Sequence, residues 1–165
     1  MSIKIAIIGH ASDKFNQITR RSAHSIIAGI LEDYRPCILI SGGCPMGGID
    51  IWAEEMADKK GIEKIIYRPK YTQWDPDVNT YGKDAYGFKA RNLDIARNCD
   101  VLYNIVVRTW PENYRGTKYN DYHCAGKNMD KHPHVKSGGC WTLWEAYKQG
   151  KEVHFIIIDG EDVSI

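Results

Sequence analysis

The chain has 165 residues, 43% of them hydrophobic and 26% charged, which suits a single domain with a continuous core and excludes a disordered or fibrous protein. Its formal net charge of +1 provides no broad electrostatic field, so the basic surplus of a dedicated nucleic-acid binder is missing and a small-molecule partner is expected. No run approaches the roughly 18 apolar residues that span a bilayer, and Met1-Ser2-Ile3-Lys4 leads straight into a strand-like stretch without the features of a signal peptide. A cytoplasmic location without membrane contact is the expectation. Five cysteines, at 37, 44, 99, 124 and 140, do not form a secreted disulfide framework, and Cys37 and Cys99 border core elements as small buried hydrophobes would.

In chain order, Ile3 to Ile8 reads as a first strand, followed by the turn Gly9-His10-Ala11-Ser12. A helix then runs to about Asp33, with Ile18, Ala23, Ile26, Ile27, Ile30 and Leu31 as its apolar positions. Cys37 to Ile40 is a second strand. It enters Ser41-Gly42-Gly43-Cys44-Pro45-Met46-Gly47-Gly48-Ile49-Asp50, and a helix follows from Ile51 to Lys60 with Trp52, Ala53, Met56 and Ala57 inward. Gly61 ends this helix as a left-handed cap residue does. A third strand spans Glu63 to Tyr67. After the irregular segment 70–88, rich in Tyr, Trp, Asp, Pro and Gly, a helix from Lys89 to Asn98 has Ala90, Leu93 and Ala96 inward, and Asp100 to Val107 reads as a fourth strand. A second irregular segment, 108–136, ends in Ser137-Gly138-Gly139, which opens a helix stopped by Gly150. Val153 to Ile158 is a fifth, almost wholly apolar strand of the kind found inside parallel sheets.

Strands alternating with helices predict an α/β fold: a Rossmann-like open parallel sheet of about five strands, in the order 3-2-1-4-5, with helices on both faces and one domain over residues 1–165. In such a sheet ligands bind outside the carboxyl ends of the strands. Both glycine loops, the Gly9 turn and the two irregular segments follow strands and so converge on one rim. A glycine loop between a strand and a helix suits phosphate, since backbone comes close and the free N–H groups of the first helical turn face the ligand; the same loop is also a plain steric turn.

Gly42-Gly43 with Gly47 and Asp50, then Lys89-Ala90-Arg91-Asn92 before Cys99-Asp100-Val101-Leu102, then Gly138-Gly139-x-x-Thr142-x-x-Glu145, resemble the SLOG superfamily of Rossmann-like nucleotide-binding proteins. The last two blocks are similar to the Lonely Guy phosphoribohydrolases, often mislabelled lysine decarboxylases, whose helix arginine and P-G-G-x-G-T-x-x-E loop form the active site. The first block is closer to an uncharacterised branch with a G-G-x-x-G-x-D loop. Ser137 replaces the proline of the hydrolases, Trp141 replaces their third glycine, and segment 108–136 intervenes where their strand runs almost directly into the loop.

The resemblance implies cleavage of the N-glycosidic bond of a nucleoside 5′-monophosphate or a related nucleotide. That chemistry passes through an oxocarbenium-like sugar and needs a carboxylate and an oriented water. Glu145 would be that carboxylate and Arg91 its cationic companion, binding phosphate or the sugar end. Gly42, Gly43, Gly138, Gly139 and Thr142 would cradle phosphate, with Ser41, Gly47 and Asn92 alongside. Asp50 would face ribose hydroxyls, and Gly9, His10 and Ser12 would touch the nucleotide from the first turn. The alternative is a non-catalytic nucleotide-binding or sensing module, since many members bind ligands without turning them over. Single-stranded DNA binding, as in the DNA-processing branch, has the near-neutral charge against it.

Plainer roles stand beside these. Thr142-x-x-Glu145 also matches a capping box, Arg91 could be solvated or paired with Asp94 or Glu145, and Asp50 could cap its helix. His123, Cys124, His132, His134 and Cys140 invite zinc, with Cys124, His132 and His134 as candidates, yet their spacing matches no standard pattern, and neither a metal nor another cofactor is expected. Trp110, Tyr114, Tyr119 and Tyr122 suit a lid, a base-stacking wall or an oligomer contact; the hydrolase relatives make a homodimer or higher homo-oligomer an expectation.

Overall fold

The computed structural model describes residues 2–72, 86–116, 129–158 and 161–163. Five parallel strands form the sheet: β1 (Ile3–Gly9), β2 (Cys37–Ser41), β3 (Glu63–Ile66), β4 (Val101–Val107) and β5 (Glu152–Ile158). They stand in the order expected, β3-β2-β1-β4-β5, and a short β6 (Glu161–Val163) adds an antiparallel edge beside β5. The helices are α1 (Gln17–Tyr34), α2 (Ile49–Lys60), α3 (Phe88–Asn98) and α4 (Gly138–Lys148). This is an α/β, Rossmann-like fold.

The two-residue period of β1 divides the core. Ile5 and Ile7 face α1 and α2 with Ala23, Ile27, Leu31, Trp52 and Ala57, while Ala6 and Ile8 face α3 and α4 with Ile95, Cys140, Leu143 and Phe155. Strand β1 is central, with Ile5 in register with Leu39 on one side and Val101 on the other. Its carboxyl end, Gly9, has no room for a side chain: a Cβ there would lie 2.2 Å from the Ile105 carbonyl oxygen and 2.7 Å from Ile49 Cγ1. Close packing at that point brings the β1 turn against the start of α2. Cys37 and Cys99 are buried in the two halves of the core.

Two apolar stripes differ from expectation. Ile18 is 71% exposed, because the buried stripe of α1 is Ala23, Ile27, Ile30 and Leu31, and a residue five positions before Ala23 lies about 140° round the helix. The helix starts where it does through a capping box, in which the Thr19 N–H donates to Asn16 Oδ1 at 2.8 Å and the Asn16 N–H donates to Thr19 Oγ1 at 3.0 Å. On α3 the buried residues are Arg91, Ile95 and Ala96, whereas Ala90 and Leu93 are half-buried. The arginine occupies a position that periodicity alone gives to an apolar residue.

Candidate functional site

Strand β2 ends at Ser41, and the glycine loop after it folds around a carboxylate belonging to its own chain. Asp50, in the first turn of α2 and 5% exposed, accepts hydrogen bonds from the backbone N–H groups of Gly42 and Cys44, the latter at 3.3 Å. Three further donors are also taken: Gly43 N–H by Ser41 Oγ at 3.3 Å and Gly47 N–H by the Cys44 carbonyl at 3.1 Å within the loop, and Ile49 N–H by the His10 carbonyl at 3.1 Å in the β1 turn. The loop thus carries an internal anion where a phosphate was expected. Asp50 does not cap α2, whose N-cap is Gly48 at φ 88°, a conformation suited to glycine, and a Cβ there would lie 2.2 Å from the His10 carbonyl oxygen.

Arg91 on α3 completes this arrangement. Its Nη1 donates to the Gly42 carbonyl and lies 4.0 Å from Asp50 Oδ2, its Nε donates to Asn92 Oδ1 at 2.7 Å, and its guanidinium stands over the Phe88 ring at 5.3 Å. Arg91 is therefore neither solvated nor paired with Asp94, which takes the Tyr86 hydroxyl instead. Nη2 has no partner among the described residues. A Cβ on Gly42 would displace this pair, since it would meet Arg91 Nη1 at 2.3 Å and Asp50 Oδ2 at 2.7 Å. Burial pushes the Asp50 carboxyl up to about 6; Arg91 pulls it down but does not offset the loss of water, and Glu54 pushes it further up. Glu54, itself buried, accepts from the Ser41 hydroxyl at 2.6 Å.

His10, after β1, is 3% exposed and its Nε2 lies 3.0 Å from the Val135 carbonyl oxygen. A carbonyl only accepts, so Nε2 carries the proton. Burial, aided by the Lys14 charge, lowers the imidazole to about 3, and the ring is neutral at physiological pH.

The second glycine loop opens α4. Gly138 and Gly139 N–H groups have no hydrogen-bond partner among the described residues, and Ser137, the N-cap, makes no side-chain cap bond. A Cβ on Gly138 would find only Asn92 Nδ2, at 3.7 Å, whereas one on Gly139 would strike Asn104 Oδ1 at 2.4 Å. Thr142 lies inside the helix, its hydroxyl donating to the Gly138 carbonyl at 2.9 Å, so no capping box forms with Glu145. Glu145 instead accepts from Lys148 Nζ at 2.7 Å.

These elements enclose a cavity of about 230 Å³ at the carboxyl ends of the strands. Of the residues expected at a ligand site, Gly9, His10, Asp50, Arg91, Asn92, Gly138, Gly139 and Thr142 line it. Ser12, Ser41, Gly42, Gly43, Gly47 and Glu145 do not: Ser12 donates to the Met46 carbonyl at 2.8 Å, Ser41 to Glu54, Gly42 packs behind Asp50 and Arg91, Gly43 packs against Ile66 and Arg68, and Gly47 against Ser12. Trp110, expected as a lid or base-stacking wall, lies in the wall, and residues not named as site candidates complete it. Lys14, Lys89 and Lys136 contribute positive charge, and Phe88, Trp110 and Trp141 contribute rings. Trp110 stacks on Tyr114 with ring centroids 4.5 Å apart, and Lys14 lies over the Tyr114 ring at 4.8 Å. Tyr119 and Tyr122 lie outside the described residues.

Among the described residues no three His, Cys, Asp or Glu side chains gather as a metal site. His134 Nδ1 donates to the His132 carbonyl at 2.6 Å, Nε2 lies 3.8 Å from Cys140 Sγ, and the ring meets Phe155 edge-on at 4.8 Å. Cys124 and His123 lie outside the described residues. No described helix is long and apolar enough to cross a membrane.

No family model matches the sequence, and no curated protein does. Among solved structures, the molybdenum cofactor carrier protein of Chlamydomonas reinhardtii superposes with a TM-score of 0.56 at 16% identity, over 94% of this chain and 76% of that one. DNA processing protein A of Streptococcus pneumoniae superposes with a TM-score of 0.54 at 19% identity, over 97% of this chain and 51% of that one, so the present chain spans about half of that protein. Both likenesses are of fold alone, an α/β Rossmann-like fold. The expected fold class holds, and the likenesses do not extend to the Lonely Guy activity.

Proposed function

We propose that the cavity binds a nucleoside monophosphate or a closely related phosphorylated nucleoside, and that the protein acts as a ligand-binding module. One observation carries this reading: unpartnered N–H groups at the start of α4, Arg91 Nη2 and three lysines meet three aromatic rings in one cavity at the strand ends. The cations and N–H groups suit phosphate, and the rings suit a planar base. The phosphate belongs at Gly138 and Gly139 rather than at the first loop, whose N–H groups already serve Asp50. A small ligand of this class is consistent with a protein without net charge excess.

Hydrolysis of the N-glycosidic bond is the second reading, and it is Asp50 that favours it. Glu145 is turned to Lys148, whereas Asp50 is the carboxylate that lines the cavity, and its raised pKa of about 6 is the kind suited to proton transfer near neutrality. A thermal-shift panel of nucleoside monophosphates, with free base assayed in the same samples, separates the readings. Binding alone predicts a saturable rise in Tm with the nucleotide recovered intact. Release of base would establish the hydrolase, and Asp50→Asn should then abolish it while Glu145→Gln leaves it intact. If no nucleotide shifts Tm and no base is released, both readings fail.

A further inference from the structure

We propose that His10 Nδ1 is the hydrogen-bond acceptor that selects the ligand of this cavity, taking an uncharged O–H or N–H donor and excluding an anionic group from that position. The inference rests on the nucleotide reading above and adds the atom that discriminates among nucleotides. Two nitrogens of the ring have different fates. Nε2–H is committed to the Val135 carbonyl at 3.0 Å, which fixes the tautomer and leaves Nδ1 as a bare lone pair. Nδ1 has no protein partner among the described residues, although the side chain is almost wholly buried and lines the cavity. Nδ1 is not sealed from the cavity, so a ligand that covers it must supply a donor or leave the acceptor buried unpaired.

The surroundings decide which ligand group can do so. Lys14, Asp13 and His134 are the charged or titratable groups acting on the ring, and Lys14 together with burial keeps it uncharged. An uncharged imidazole turning a lone pair to the cavity repels phosphate and carboxylate oxygens and attracts a hydroxyl or an N–H. The anion-binding groups, Arg91 Nη2 and the N–H groups of Gly138 and Gly139, come from α3 and α4, whereas His10 comes from the β1 turn. A phosphate held by the helices therefore leaves His10 to the sugar or the base. Two sources of the same chemistry satisfy it: a ribose hydroxyl, or an exocyclic or ring N–H of the base.

Calorimetric titration of the whole protein with AMP, 2′-deoxy-AMP, 3′-deoxy-AMP and purine riboside monophosphate, repeated with the other common bases, distinguishes the sources. Deleting the donor that meets Nδ1 should weaken binding to the wild type by about tenfold or more, since the acceptor is then buried unpaired. His10→Gln keeps an N–H for Val135 but not the Nδ1 acceptor, and should bind the two members of that pair within about twofold of each other. A loss with a deoxy analogue identifies the ribose; a loss with the base analogue identifies the base. In the wild type, nitrogen-15 NMR of the imidazole should show an unprotonated Nδ1 whose resonance moves on binding, a readout that does not depend on how the variant folds. If nucleotides bind but no donor deletion matters, or the Nδ1 resonance stays still, the selection by His10 is wrong and the nucleotide reading survives. If no nucleotide binds, both fall.

Discussion

Asp50 and His10 both line the cavity and both are buried, yet burial moves them in opposite senses relative to neutrality. Each is held toward its uncharged form, the carboxyl by a rise from 3.8 to about 6 and the imidazole by a fall from 6.5 to about 3. Between about pH 4 and 6 the folded protein holds the Asp50 proton more tightly than the unfolded chain, so this residue makes stability fall as pH rises. Over the overlapping range the unfolded chain holds the His10 proton more tightly, so that residue makes stability rise with pH. Each has a limiting slope of about 1.4 kcal/mol per pH unit and the two oppose one another. Asp50→Asn should expose the His10 slope, giving stability that increases from pH 4 to 6, and His10→Gln should expose the Asp50 slope, giving stability that decreases. Denaturant titrations at several pH values measure both. Identical slopes in the two variants would mean that these groups do not titrate as their burial dictates.

Arg91, Asp50 and His10, which line the cavity, were singled out in the sequence, Arg91 and Asp50 by motif resemblance and His10 by its place in the turn after the first strand. Their relations were not. Nothing in Gly42-Gly43-Cys44 says that the loop's donors turn inward to Asp50, because a glycine loop around an internal carboxylate and one around a ligand phosphate have the same composition. Glu145 stood out through its spacing from Thr142, yet its carboxylate pairs with Lys148 and does not line the cavity. Lys14, Lys136 and Phe88 gave no motif, since only the fold brings them to the cavity.

At the scale of elements, α4 is fixed by a contact between Gly139 and β4. Asn104 is buried on a strand whose neighbours on the same face, Leu102 and Val106, are apolar, and its Oδ1 has no hydrogen-bond partner among the described residues. Gly139→Ala should drive a methyl group into that oxygen and cost about 1–3 kcal/mol. Gly138→Ala, with open space beside it, should be neutral or raise stability by up to about 1 kcal/mol through helix propensity. Asn104→Ala should rescue much of the Gly139→Ala loss, because it removes the atom struck; a double-mutant cycle from denaturant unfolding measures this coupling. Additive losses would show that the contact does not set the position of α4.

On α1 the exposed Ile18 and the fully buried Ile27 are chemically identical and should behave differently. Ile27→Ala should cost about 2–5 kcal/mol and Ile18→Ala less than about 0.5 kcal/mol, as read from urea midpoints. Periodicity located α1 but extended its apolar stripe one residue too far, because Asn16 and Thr19 form a cap that no apolar count registers. The same kind of count gave α3 a buried Leu93, where Arg91 takes the inward position through its bond to the Gly42 carbonyl. Pattern reading assigns buried positions by hydrophobicity, and a buried cation held by partners distant in sequence escapes it.

For the whole molecule, the order of strands and the location of the cavity follow from one regularity, that each βα turn of a parallel sheet opens at the same edge. That regularity was legible because the strands are short, apolar and separated by helices with clear stops, as at Gly61, which adopts the left-handed conformation at φ 68°. The antiparallel β6 was not, since three residues with two acidic side chains carry no strand pattern of their own and pair only because β5 offers an edge. The division of labour between the glycine loops also emerged only in three dimensions. The first loop is a closed frame that positions Arg91, and the second leaves its N–H groups open to the cavity.

Backbone amide chemical-shift mapping during titration with a nucleoside monophosphate tests the central claim most directly. Saturable shifts are expected at Gly9, His10, Asn92, Gly138 and Gly139, with Gly43 and Gly47 little changed because their N–H groups are already bonded within the loop. Shifts centred on Gly43 and Gly47 with Gly138 and Gly139 unmoved, or no saturable shift with any nucleotide, would contradict that claim.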